Sequence, residues 1–302
     1  LHYPLRRQRQ MCIRDSHFIY ENKEVFSISR MAQTLNVSES GYYKWLNSRK
    51  TVTEKTLAED TLALQVIDIF RKSKGSFGSR KITKKVNEVS DTAINHKRIE
   101  RIMREQGLFS KTSKKYRCTT DCRHSEMIAD NLIDRDFTAD KPNEKMVSDT
   151  TVVTTKEGDL YIAGIIDLYG RLPVGIAMSR RNNTKLVKDA LEDMLIRGYG
   201  KKGCIIHSDR GSTYASKEYQ IMLSKQGLIC SMSKKGDCWD NAPMESFWGK
   251  LKKEWLQVKY DTIKEAARDI YEYVWHFYPR QRPHASIQYL TPAAFYNQAK
   301  NP

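Results

Sequence analysis

Apolar positions fall into two regimes along this chain, spaced like helices up to about residue 109 and like strands from residue 145. Ile28, Met31, Ala32 and Leu35 recur at i, i+3, i+4 and i+7, one face of an amphipathic helix. Asn36-Val37-Ser38 supplies a turn, and Ser38 can cap a second helix through Trp45, so residues 27–46 read as helix-turn-helix. Residues 57–70 predict a further helix, broken by Gly75 and Gly78. Residues 79–89 resume it with Ile82, Val86 and Val89 on one face. Asn95 can cap a third helix of this group, ending at Gly107, with Ile99, Ile102 and Met103 turned inward. Residues 111–143 are polar and irregular, as a connector would be.

Beyond residue 145 three strands are expected, at 146–154, 160–167 and 172–178, with turns at 156–159 and 169–171. Asn183 can cap a helix to about residue 197. Residues 204–208 predict a fourth strand, 216–226 a helix, 228–232 a fifth strand, and 245–255 a further helix. Three strands in hairpins followed by alternating helix and strand is the order of a ribonuclease H-like core. The expected class is therefore α/β, a mixed five-stranded sheet with helices, preceded by all-α helix-turn-helix modules. The expected domains are a helix-turn-helix-like segment at 17–53, a basic helical DNA-binding module at 54–120, a linker at 121–143 and a catalytic core with a helical tail at 144–302. Residues 1–16 read as a non-native leader, since Met11-Cys12-Ile13-Arg14-Asp15-Ser16 resembles a translated library adaptor.

Charge adds a partner to this outline. The net charge is +16 over 302 residues, which points to a polyanion. Residues 71–124 carry 16 Lys/Arg against 5 Asp/Glu, whereas residues 140–250 carry 17 against 14. Within the basic stretch Lys97, Arg101 and Arg104 fall at i, i+4 and i+7, opposite the apolar stripe, with Arg98 beside them. These four are the expected contacts to DNA phosphates. The six cysteines form no disulfide framework. Cys118, Cys122 and His124 lack a fourth ligand at the usual spacing, so zinc is not expected. No apolar run approaches the roughly 18 residues of a membrane span, and a soluble protein of a reducing compartment is expected.

Three acids stand out by their surroundings. Asp149 interrupts a β-branched run, where a buried carboxylate is costly unless paired or metal-bound. Asp209 ends an apolar strand before Arg210-Gly211, and Glu245, 35 intervening residues later, opens a helix. Three carboxylates on three elements suit two hard divalent cations about 3.5–4 Å apart, an arrangement for in-line phosphoryl displacement. Asp159 and Asp167 read as turn acids outside this site. Lys252, seven residues after Glu245, shares its helix face and is expected to reach a DNA strand, while Trp248 and Trp255 are expected in the core. His207 alternates to the same side as Asp209, but two-metal chemistry needs no histidine base, and Ser208 has no evident activating base.

From residue 25 onward the chain resembles the DDE transposases of bacterial insertion sequences, relatives of retroviral integrases, and among them the second-reading-frame type. The likeness is carried by Val147-Ser148-Asp149-Thr150-Thr151, His207-Ser208-Asp209-Arg210-Gly211, Asp240-Asn241-Ala242-Pro243-Met244-Glu245-Ser246-Phe247-Trp248 and the tail Arg280-Gln281-Arg282-Pro283-His284. Upstream, Phe77-Gly78-Ser79-Arg80 and Lys97-Arg98-Ile99-Glu100-Arg101 match the helical module before the core. The resemblance implies that Asp149, Asp209 and Glu245 bind the metals and that Lys252 is the basic position following the glutamate. It implies Mg²⁺, two ions, with Mn²⁺ able to substitute. Implied partners are DNA at element ends and target, further copies of the chain on that DNA, and an upstream-frame product, fused or associated. Nicking of 3′ ends followed by strand transfer is the implied reaction, in the bacterial cytoplasm at the nucleoid. A DNA-binding regulator with an inactive core and a plain metal-dependent nuclease are the alternatives; an intact triad separates the first, and joining activity the second.

Overall fold

The computed structural model describes residues 15–50, 54–90, 92–111, 128–234, 238–256 and 259–299. It divides into two compact units, Leu1–Gln65 and Val66–Pro302. In the first unit the helices Ile28–Thr34 and Glu39–Lys50 enclose Ile19, Met31, Ala32 and Tyr42. The turn between them uses Asn36 at φ 55°, a left-handed conformation asparagine tolerates. Ser38 caps as expected, its Oγ accepting from the Gly41 amide at 3.1 Å.

The second unit begins its own packing with the helices Ser79–Asn87 and His96–Glu105, which bury Ile82, Val86, Ile99, Ile102 and Met103. Asn95 caps the latter through the Lys97 amide at 2.9 Å. Gly107 at φ +64° lets the chain turn back, so that the Leu108 amide reaches the Met103 carbonyl at 2.7 Å. Val89 is not on the buried face: the helix stops at Asn87 and Val89 stands 77% exposed. The Asn87 side chain instead bridges the Ile94 amide and carbonyl, closing the connection between the two helices.

Five strands form one mixed sheet in the order β3-β2-β1-β4-β5, with β1 Lys145–Thr155, β2 Gly158–Asp167, β3 Leu172–Ser179, β4 Ile205–Ser208 and β5 Ile229–Met232. β1, β2 and β3 pair antiparallel, whereas β4 runs parallel to β1 and β5 parallel to β4. This is the ribonuclease H-like order that the sequence predicts. One sheet face is covered by the helices Thr184–Ile196, Ser212–Ala215 and Lys217–Lys225 around Met146, Ala163, Ile165 and Val174. Contact is close at Gly175, where a side-chain Cβ would stand 2.5 Å from the Ala190 carbonyl oxygen. Residues 128–134 run beside β5, the Met232 amide donating to the Asp130 carbonyl at 3.2 Å. Among the described residues no helix is long and apolar enough to cross a membrane.

Two local expectations need correction. The helix expected over 245–255 is α-helical only as Ala242–Lys250 and continues as a π-turn, Leu251–Trp255. Asp167 is more than a turn acid: it is fully buried and accepts from the Asn143 amide, the Tyr169 amide and the Tyr296 hydroxyl. It thereby ties the approach to β1, the β2–β3 turn and the C-terminal helix Pro292–Gln298 together.

Candidate catalytic site

Register places the first two acids. Asp149 sits in β1 directly opposite Gly164 of β2, with their side-chain positions on one face. β4 pairs with β1 as Lys145↔Ile205, Met146↔Ile206 and Val147↔His207. Carried two residues further, the same offset sets Asp209 level with Asp149. Asp209 is shaped by its own turn, its Oδ1 accepting from the Gly211 amide at 2.9 Å, and Arg210 Nε donates to the Ser233 carbonyl. On the other face, Tyr214 of the following helix shares a hydrogen bond with Ser148 at 2.9 Å, fastening the Asp209 turn to β1.

Glu245 arrives from the helix Ala242–Lys250, which is fixed at two points. At its start, Asn241 Nδ2 donates to the Ser148 carbonyl at 3.1 Å, one residue from Asp149. The neighbouring Asp240 is 2% exposed and accepts from Asn131 Nδ2, the Lys234 amide and Arg135 Nε. One turn after Glu245, the Trp248 indole lies on Gly164, so near that a Cβ there would meet it at 2.7 Å. The bare Gly164 is thus the seat that lets the glutamate helix approach the strand carrying Asp149. Glycine inside a strand marks such close approach, a signal the sequence held and the periodicity reading passed over. Local sequence pattern gives Gly164, Trp248, Asn241 and Tyr214 no place beside the acids; only the fold does.

The electrostatics are those of a site short of positive charge. Asp149 is partly exposed yet closely surrounded by protein, and its pKa is raised well above the usual carboxylate range. Burial is the main cause, then the charge of Asp209; Glu245 adds to it, and the Thr150 amide and Trp248 indole work the other way. The indole Nε1 completes no hydrogen bond of ordinary geometry, so its effect on Asp149 is that of a nearby dipole. Burial also raises the pKa of Glu245, whose residue surface is nonetheless exposed. Lys252 is half-buried within reach of Asp149: burial lowers its pKa and the Asp149 charge partly restores it. Among the described residues no three His, Cys, Asp or Glu side chains already stand drawn together as a metal cage. The three acids offer only carboxylate oxygens, the donor type Mg²⁺ prefers.

The remaining expected residues lie elsewhere. Lys97, Arg98, Arg101 and Arg104 are exposed on the helix His96–Glu105, with Arg101 paired to Glu105 at 4.0 Å. His207 is fully buried, with Nδ1 2.9 Å from Ser231 Oγ and Nε2 3.3 Å from Ser233 Oγ. Both ring nitrogens therefore serve the β4–β5 pairing. Trp248 and Trp255 are buried as expected. Cys118, Cys122 and His124 lie outside the described residues.

Family models of an integrase core domain match residues 139–238 and 226–292, and a model of an HTH-like domain matches residues 57–116. The chain is 37% identical over 266 residues to the insertion element IS600 uncharacterized 31 kDa protein of Shigella sonnei, across 88% of this chain and 97% of that protein. It is 34% identical over 282 residues to the transposase InsF for insertion sequence IS3A of Escherichia coli (strain K12), across 93% of this chain and 98% of that protein. Among solved structures, the HTLV-2 integrase catalytic core domain in complex with magnesium is similar at a TM-score of 0.40 and 13% identity, over 52% of this chain and 99% of that one.

Proposed function

Because the chain belongs to the integrase-core transposases of bacterial insertion sequences, we propose that Asp149, Asp209 and Glu245 form its metal-binding triad and that it nicks element 3′ ends and joins them to target DNA. The observation that carries this reading is the convergence of three acids from three separate elements: the β1–β4 register sets Asp209 level with Asp149, and the Asp149 pKa is raised first by burial and then by the charges of Asp209 and Glu245. Two divalent cations, when held there, supply a clamp on the attacking and leaving oxygens of an in-line displacement.

The protein's own part is positional. Asp149, in β1, and Asp209, just past the end of β4, would provide the fixed oxygen ligands. Glu245, exposed on its helix, closes the set from the solvent side. In nicking, a water oxygen attacks the phosphorus and the bond to the 3′ oxygen breaks, leaving a 3′-hydroxyl. In joining, that hydroxyl attacks a target phosphodiester and expels a target 3′-hydroxyl. Lys252, beside Asp149, carries the positive charge that meets the DNA phosphate. Lys97, Arg98, Arg101 and Arg104 contact phosphates farther along the duplex.

Asp149→Asn, Asp209→Asn and Glu245→Gln test the assignment, since an amide keeps the shape and loses the charge. Each is expected to abolish Mg²⁺-dependent nicking while element-end binding persists in a gel shift. Substantial nicking by any of the three removes that residue from the triad.

A further inference from the structure

A second group of charges gathers around Lys250, at the end of the helix that carries Glu245. Its base is an ion pair: Arg282 donates from Nε at 2.6 Å and from Nη2 at 2.5 Å to the two oxygens of Glu254, and Arg282 is 4% exposed. Lys81 Nζ lies 3.5 Å from the same carboxylate. Lys250 Nζ lies 2.5 Å from Ser246 Oγ and 3.5 Å from His284 Nε2. Arg171, from the turn between β2 and β3, is near enough for its charge to act on both Lys250 and His284.

One carboxylate thus stands in a cluster of four cations, of which Arg282 and Lys81 touch it. Arg282 alone satisfies Glu254 bidentately, so a structural ion pair accounts for two of the five charges and leaves Lys81, Arg171 and Lys250 in surplus. Burial, then Arg282, brings Lys81 and Lys250 down to about 8, and burial, then Lys250, brings His284 to about 3. Like charges gathered in a partly desolvated place destabilise the fold unless an anion joins them. Lys81, Arg171, Lys250 and His284 all keep part of their surface in solvent, so an anion can reach them. They come from four distant stretches of chain, and Lys250 closes the α-helix just where the π-turn begins. Such π-turns are frequent at functional sites.

We propose that Lys81, Arg171, Lys250 and His284 seat one backbone phosphate of the DNA on which this protein acts, apart from the triad and from Lys252. The proposal rests on the DNA-acting reading above. Lys250 is five residues past Glu245, about 7.5 Å of helical rise and roughly 140° round the helix axis, so the seat lies on a different flank of that helix from the triad. A phosphate there supplies the negative charge that the surplus cations lack.

The test uses the full chain and a short random-sequence duplex, without metal. In Lys250→Gln the slope of log affinity against log salt is expected to fall by about 0.9, the share of a single phosphate. Lys225→Gln, on the exposed end of the helix Lys217–Lys225, is expected to leave it unchanged. On the unmodified protein, histidine ¹⁵N NMR is expected to show the His284 pKa raised on DNA binding by about 1 to 3 units, the effect of an adjacent opposite charge. That measurement decides the matter if Lys250→Gln does not fold. An unchanged slope in a folded Lys250→Gln, or a His284 that titrates identically with and without DNA, overturns the seat. Neither readout needs cleavage, so a failed triad leaves it standing. Normal cleavage with an unchanged slope refutes the seat alone.

Discussion

Replacing Gly164 by alanine places a methyl group where the Trp248 indole already lies. The new Cβ would stand 2.7 Å from Cη2 and 2.9 Å from Cζ2, whereas ordinary contact begins at 3.4 Å. The ring must therefore withdraw by at least the 0.7 Å between 2.7 and 3.4 Å. It has little freedom to do so, being 4% exposed and packed on Phe247 with ring centroids 4.9 Å apart. Phe247 is held in turn by Tyr273 and Tyr278. The strain is passed to the helix Ala242–Lys250, and Glu245 moves with it. Overpacking of this kind costs about 1–3 kcal/mol of stability, and displacement of a catalytic group by about 1 Å costs on the order of a hundredfold in rate. Gly164→Ala should therefore fold, bind element ends normally and nick them ten- to a hundredfold more slowly, roughly as that displacement scale implies. Gly249→Ala is the matched control on the same helix, because nothing lies within 4 Å of the added methyl. It should retain nicking and gain roughly 0.5–1 kcal/mol of stability from helix propensity. Adding Trp248→Phe to Gly164→Ala restores space and should recover part of the lost rate. Full nicking by Gly164→Ala, or no coupling between the two substitutions, would refute the account of how Glu245 is positioned.

Mg²⁺ should raise the melting temperature of the unmodified chain, by about 1.4 kcal/mol of stabilisation at ten times its Kd, and should do little to Asp149→Asn. Without metal, Asp149→Asn should melt higher than the unmodified chain, since it removes a carboxylate whose charged form is disfavoured first by burial and then by Asp209 and Glu245; calorimetry with and without Mg²⁺ checks both. Replacing Lys97, Arg101 and Arg104 together by Ala should flatten the salt dependence of DNA binding by about 0.9 for each phosphate no longer neutralised, and an unchanged slope would make that face mere solvated surface. Stability should peak near pH 9 in denaturant titrations across pH 7–11. Lys81 and Lys250, at about 8 folded and 10.5 ordinarily, bind fewer protons folded than unfolded, so stability rises as pH climbs above 8. Cys204 and Cys230, raised by burial to about 12 and about 11 from 9.0, act in the opposite sense above pH 9, and Tyr278, at about 12, joins them above pH 10. A Lys81→Met, Lys250→Met double variant should lose the rise between pH 8 and 9.

Much of the architecture is written locally. The Asn95 cap, the Gly107 turn, the five strands and the burial of Trp248 and Trp255 follow from periodicity and capping chemistry that act within about ten residues. The three acids were visible for the same reason: each is out of character with its immediate neighbours. Val89 shows where local pattern stops, since its spacing fits the helix face but the helix had already ended. His207 alternates toward the Asp209 side, yet its role follows from Ser231 and Ser233, more than twenty residues away. Lys252 sits two turns from Glu245 only in an unbroken α-helix, whereas the π-turn shifts the phase and the measure of its place is the pull of Asp149. The seat of Trp248 on Gly164, the Asn241 anchor on Ser148 and the charged residues Lys81, Arg171 and Lys250 around His284 join residues about 30 to 200 positions apart. No local propensity encodes such pairs. They exist because burial of both sheet faces against helices brings those stretches together, and that is a property of the closed fold.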